Sequence, residues 1–309
     1  MIITLYNSKI QYKNFETGEF VEETPRSYES LIKIIEEFPW ETQREKIQIS
    51  LTNPSITIEN ENQQFLKLAL FYNGKFVLHY CDKSNKLFSK SFTSVKDSYS
   101  YLKKFYEQDS LDLSDFKHES TILQDNIVHF VSQDFQYTIS DEVAFKYLLK
   151  SSWMNLASGI FILYGLLDIA FNKPFNPLYL IFIIPIFFLF GGGIHLMLFF
   201  KYYLFSKNKI LILSKGNDTF YFGNIFSPFQ YSKKNIEQVL IYQNNGYRSM
   251  ISDFVIVKVI FKNKSEITIP SIFVNDVALR NKFSDYPQTE INSGVTRLMR
   301  LKEPAQMEN

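Results

Sequence analysis

The sequence predicts an α+β protein in which a two-helix transmembrane hairpin stands between two soluble parts, an α+β domain before it and a β meander with a capping helix after it. Three observations carry this expectation. Trp153 to Phe171 and Leu178 to Phe200 are long apolar runs, and about 18 apolar residues suffice to cross a hydrocarbon core of roughly 30 Å. Earlier in the chain, Asn73-Gly74 lies between two apolar runs, the mark of a tight hairpin, because both central residues of a type I′ turn need positive φ. Later, short apolar runs recur between Lys209 and Pro270, as in a meander.

Residues 1–117 form the first predicted domain. Ile2 to Tyr6 offers a first strand. Ser27 caps a helix whose Tyr28, Leu31, Ile32, Ile35 and Phe38 fall at spacings of three and four, and Pro39 stops it. Strands are predicted at Ile47 to Leu51, Ser55 to Glu59, Phe65 to Tyr72, Lys75 to Tyr80 and Lys86 to Phe92. Ser94-Val95-Lys96-Asp97 has the spacing of a capping box ahead of a helix carrying Tyr99, Leu102 and Phe105. The acidic stretch from Asp109 to Asp125 marks a domain boundary; it lacks the Gly and the terminal Glu of an EF-hand loop.

Residues 118–152 lead into the apolar region through a strand at Phe135 to Ile139 and a helix capped by Ser140, with Asp141 and Glu142 in its first turn. Run unbroken to Phe171, that helix is about 46 Å long. Residues 153–200 are the predicted spans, joined by Asn172-Lys173-Pro174-Phe175-Asn176-Pro177. Lys146 and Lys150 precede the first span, and Lys201, Lys207 and Lys209 follow the second. Positive charge at those ends predicts cytoplasmic termini and a bacterial inner membrane. The first residues have neither the basic leader nor the apolar length of a signal peptide. Residues 201–285 supply strands at Lys209 to Ser214, Thr219 to Phe222, Ile236 to Tyr242, Phe254 to Phe261 and Ser265 to Pro270, then a helix at Val274 to Phe283. Residues 286–309 are polar and predicted to be a flexible tail.

Charge is unevenly shared. Residues 1–150 are acidic by about five charges, and residues 201–309 are basic by about six. The single cysteine, Cys81, excludes an internal disulfide framework.

Motifs for metal hydrolysis, thiol redox chemistry, dinucleotides and phosphate-cradling loops are all missing, as is the nucleophile elbow. The expectation is therefore a non-catalytic protein without metal or cofactor. His79 and Cys81 share one side of a predicted strand, either as a thiol and base pair or as a packed core pair. Asp168 and His195 are ionisable residues inside the predicted spans, where such groups by default suggest function; Asp168 is expected to reach the interface, and His195 to bond a neighbouring helix or snorkel inward. Their depths differ by roughly 20 Å at 1.5 Å per residue, which excludes a single proton-relay step. Gly191, Gly192 and Gly193, with Pro185 before them, offer either an oligomer interface or hinge, or packing against the first span.

The order of strand, helix, apolar hairpin and meander resembles the bacterial YcxB-like, PH-like membrane proteins over residues 135–285. Phe135-Gln136-Tyr137-Thr138-Ile139-Ser140, Lys201-Tyr202-Tyr203-Leu204, Asn235-Ile236-Glu237-Gln238-Val239 and Ile267-Thr268-Ile269-Pro270 carry the resemblance. The resemblance implies a PH-like barrel under the membrane, with no known enzymatic activity. The first domain loosely resembles small immunity proteins that neutralise toxins. The partners expected are a lipid bilayer, a protein of unknown identity and another copy of the chain, with no nucleic acid. A lipid-binding or scaffolding role for the PH-like part is the alternative to capture of a toxin, and an unknown enzyme the third possibility.

Overall fold

The computed structural model describes residues 4–45, 47, 50–108, 111–119, 126–172, 193–244 and 251–302. The chain forms two compact units, one of residues 1–134 with 214–217, the other of residues 135–213 with 218–309.

In the first unit, β1 (Tyr6–Gln11), β2 (Val21–Arg26), β3 (Ser55–Glu59), β4 (Phe65–Leu70), β5 (Phe76–Cys81), β6 (Leu87–Phe92) and β7 (Lys117–Glu119) form one sheet. Its order is β2-β1-β3-β4-β5-β6-β7, and every pairing is antiparallel. Asn73 and Gly74 take φ of 55° and 75°, and the Lys75 amide donates to the Tyr72 carbonyl at 3.2 Å. That turn fixes the β4–β5 register, which fixes which side chains face the core.

Helices α1 (Tyr28–Glu37) and α3 (Tyr99–Gln108) pack on one face, with α2 (Trp40–Gln43) between them in sequence. Ser27 accepts from the Ser30 amide, and Ser94 with Asp97 completes a capping box before α3. Leu31 and Ile35 of α1 and Leu102 and Phe105 of α3 are fully buried against Ile58, Leu66, Leu68 and Leu78. The first described strand is Tyr6–Gln11, while Ile2 and Ile3 of the predicted Ile2 to Tyr6 strand lie outside the described residues; Ser50 and Leu51 form a bend and turn instead of a strand.

The second unit contains β8 (Gln136–Thr138), α4 (Asp141–Asn172), α5 (Gly193–Ser206), β9 (Lys209–Ile212), β10 (Thr219–Asn224), β11 (Ser227–Ser232), β12 (Ile236–Gln243), β13 (Ile256–Phe261), β14 (Glu266–Pro270), α6 (Asp276–Lys282), β15 (Gln288–Asn292) and α7 (Val295–Leu298). Its strands make two four-stranded sheets, β11-β10-β9-β8 and β14-β13-β12-β15. Phe220, Tyr231 and Phe261 stack in series with centroids 5.3 and 5.4 Å apart. Asn275 caps α6 by accepting from the Ala278 amide at 2.8 Å. The flexible tail predicted for residues 286–309 is corrected over 288–298: β15 pairs in parallel with β12, and Leu298 is fully buried.

The predicted transmembrane hairpin is also corrected. Among the described residues no helix is long and apolar enough to cross a membrane. Helix α5 is described from Gly193 to Ser206, and residues 173–192, most of the second predicted span, lie outside the described residues. One side of α5 belongs to the protein interior: His195, Leu198, Phe199, Tyr202 and Ser206 are all buried. The integral, two-span, inner-membrane placement is therefore not supported among the described residues. Pro185, Gly191 and Gly192 lie outside the described residues.

Candidate functional site

The second unit presents a surface where apolar side chains and lysines stand together. On α5 the residues opposite its buried side are Met197, Phe200, Lys201 and Leu204, at helical spacing and all exposed. Leu204 is 71% exposed. The chain then turns through Lys207 and Asn208 into β9, and Asn224 of β10 pairs with Lys209. The β10–β11 hairpin tip is consequently held beside the end of α5, and the Ile225 amide donates to the Asn208 carbonyl at 3.0 Å. Asn224 Oδ1 accepts from the Phe226 amide at 2.9 Å and closes the turn.

This geometry leaves Phe226 94% exposed at the tip. A large apolar side chain so fully in water gains nothing from folding, and burying one is worth about 2 kcal/mol. Lys209 Nζ donates to the Phe205 carbonyl and lies 3.9 Å from the centre of its ring. Lys207 is 3.9 Å from Asp141; the phenol of Tyr203, first, and then Asp141 raise the pKa of Lys207. Tyr203 in turn donates to Asp141. Lys207 and Lys209 thus flank the base of the tip, Lys207 beside the Asp141 carboxylate, with Lys201 farther back on the exposed side of α5.

The remaining residues singled out in the sequence separate widely. His195 is 1% exposed, its ring edge-on to Phe254 with centroids 4.6 Å apart, so it belongs to the core of the second unit. Gly193 is buried at the start of α5. Asp168 is exposed on α4. Lys146 pairs with Glu142 at 2.7 Å, one turn away on an exposed face, and Lys150 lies on the same helix. Of the predicted set, Lys207 and Lys209 lie at the base of the hairpin tip, and Lys201 lies on the exposed side of α5.

In the first unit, the sheet face opposite α1 and α3 carries a row of polar residues. The registers place Lys9, Thr57, Lys67, His79, Ser89 and Lys117 opposite one another on consecutive strands. Lys67 donates to Gln11 Oε1 at 2.8 Å and the His129 carbonyl at 3.1 Å; burial, with the charge of Lys9 second, lowers its pKa to about 7. Burial, and then Lys67, pushes His79 down to about 3, so the imidazole is neutral. Cys81 is fully buried, its Sγ 3.7 Å from Asn85 Oδ1 and 3.8 Å from the Asp82 carbonyl. Among the described residues no cluster of His, Cys, Asp and Glu is arranged to hold a metal ion.

Sequence reasoning missed Ile225 and Phe226 because it did not predict β11. The available signal was Asn224-Ile225-Phe226-Ser227, two bulky apolar residues where a hairpin turn ordinarily places Asn, Gly or Asp.

Residues 136–282 match the family model of a PH domain. The match runs from the first residue of β8 to the last of α6, and names neither the YcxB-like group nor an immunity family. No curated protein and no solved structure matches the chain.

Proposed function

We propose that this chain is a non-catalytic binding protein whose PH-like unit docks on an anionic lipid surface through the β10–β11 hairpin tip. PH domains bind lipids or proteins, and the observation favouring lipid is Phe226, 94% exposed at a tip whose base carries Lys207 and Lys209. An aromatic ring at a projecting tip suits the headgroup region of a bilayer. Lysines beside it are worth about 1 kcal/mol each near anionic lipid. Phe226 and Leu204 together add about 3 to 5 kcal/mol of apolar burial. Neither contribution alone holds a protein on a membrane firmly; together they give reversible association.

Co-sedimentation of the full chain with phosphatidylcholine vesicles, with and without phosphatidylserine, tests this. Binding is expected only to the anionic vesicles. It should weaken as salt screens the lysines and fall on Phe226→Ser, a change at an exposed position that leaves the fold intact. Equal binding to neutral vesicles, or a Phe226→Ser protein that binds as before, would overturn the proposal.

A further inference from the structure

The first unit contains a cavity of about 360 Å³ over β5, β6 and β7, within the usual size range of small-molecule sites. Leu51, Phe71 and Tyr72 contribute apolar wall, and His79, Ser89 and Glu119 form a polar end. The register explains the composition: His79 stands opposite Ser89, Ser89 opposite Lys117, and Glu119 follows two residues along the edge strand on the same face.

The polar end is rich in acceptors. Glu119 accepts from the Ser89 hydroxyl at 2.6 Å and keeps free lone pairs. The Ser89 hydrogen bond, ahead of the Lys117 contacts, holds the Glu119 carboxylate ionised by lowering its pKa. His79 is a neutral imidazole, and its Nδ1 is buried without a hydrogen-bond partner. The cation at this end, Lys117, sits 3.3 Å from Glu119 with its side chain 77% exposed. A pair so open to water is worth little and is readily exchanged.

We infer that this cavity binds a small organic cation: a protonated primary amine carried on a flat apolar body. The ammonium replaces Lys117 at Glu119 and has further donors to offer the imidazole and hydroxyl oxygen, which a carboxylate or phosphate ligand lacks. Its apolar body lies against Leu51 and the rings of Phe71 and Tyr72, whose centroids are 4.2 Å apart. Aromatic faces also attract the positive charge. An anion placed here would meet the negative charge of Glu119.

Titration calorimetry of the full chain with 2-phenylethylamine, 2-phenylethanol and 3-phenylpropionate tests the assignment. The amine is expected to bind at least roughly tenfold more tightly than the alcohol, and the acid not at all. Glu119→Gln should bring the amine down to the level of the alcohol, while Lys117→Ala, which removes the competing cation at an exposed site, should tighten amine binding. Equal affinity for amine and alcohol, no amine binding at about 10 mM, or a Glu119→Gln protein that binds the amine unchanged would overturn the inference. Circular dichroism of both variants reports whether the fold is retained.

Discussion

Replacing Lys67 with Met should flatten the stability of the first unit against pH on the alkaline side of neutrality. Lys67 is fully buried, and burial brings its pKa from the ordinary 10.5 to about 7. Between those values the unfolded chain holds a proton that the folded chain has released, so stability rises with pH through the window and is flat below it. From pH 7 to pH 9 the rise attributable to this amine is about 2 kcal/mol, at slightly over 1 kcal/mol per pH unit.

Met keeps the unbranched length but has no proton to lose, so the rise disappears. The variant also withdraws a donor from Gln11 Oε1 and the His129 carbonyl, which costs about 1 to 3 kcal/mol at every pH. The slope with pH is therefore the diagnostic quantity. Trp40, buried with its indole N–H on the Ile35 carbonyl at 2.8 Å, reports the first unit; in a Trp153→Phe background it is the sole tryptophan. Urea titrations followed by its fluorescence at pH 7, 8 and 9 give the slope. A wild-type protein with no alkaline rise, or a Lys67→Met protein that keeps it, would refute the reasoning.

His79 acts at the other end of the pH scale. With its folded pKa pushed to about 3 and an ordinary value of 6.5, stability falls as pH drops below about 6.5, because the unfolded chain takes up a proton that the folded chain refuses; His79→Gln should shrink the loss measured by the same fluorescence at pH 6.5 and 4.5. Leu298→Ala should destabilise the second unit by about 2 to 5 kcal/mol, seen as a lower urea midpoint by far-ultraviolet circular dichroism, whereas an unchanged midpoint would mean that α7 is not part of the core.

Elements with strong local signals were legible before any coordinates. Asn73-Gly74 specified its hairpin through backbone sterics alone, Ser27 and Ser94 marked helix starts through their capping hydrogen bonds, and the alternation of Ser55 to Glu59 gave β3. Four strands escaped notice, β2, β7, β11 and β15, and each stands at the edge of its sheet. Edge strands face water along one side, so they need no apolar run and they admit proline, as at Pro25 and Pro228. The expectation that His195 lies in a membrane span has a different origin. Hydropathy measures only that a segment avoids water, and a helix buried in a β-rich core avoids water as a membrane helix does; His195 against Phe254 was invisible because nearly sixty residues separate them. The Phe226 tip was lost together with its edge strand, and the polar row in the first unit required registers that only paired strands reveal.

The parallel pairing of β15 with β12 bears on how the protein is made. Unit one is assembled mainly from strands that follow one another in the chain, so its sheet can grow as synthesis proceeds. In unit two, the flank of β12 that pairs with Gln288–Asn292 waits about fifty residues for its partner. Throughout that interval the nascent chain displays an unpaired edge bearing Val239 and Ile241, a template for unwanted strand pairing. Chains terminated before Gln288 keep that edge open indefinitely, and aggregation rather than loss of binding is their expected fate.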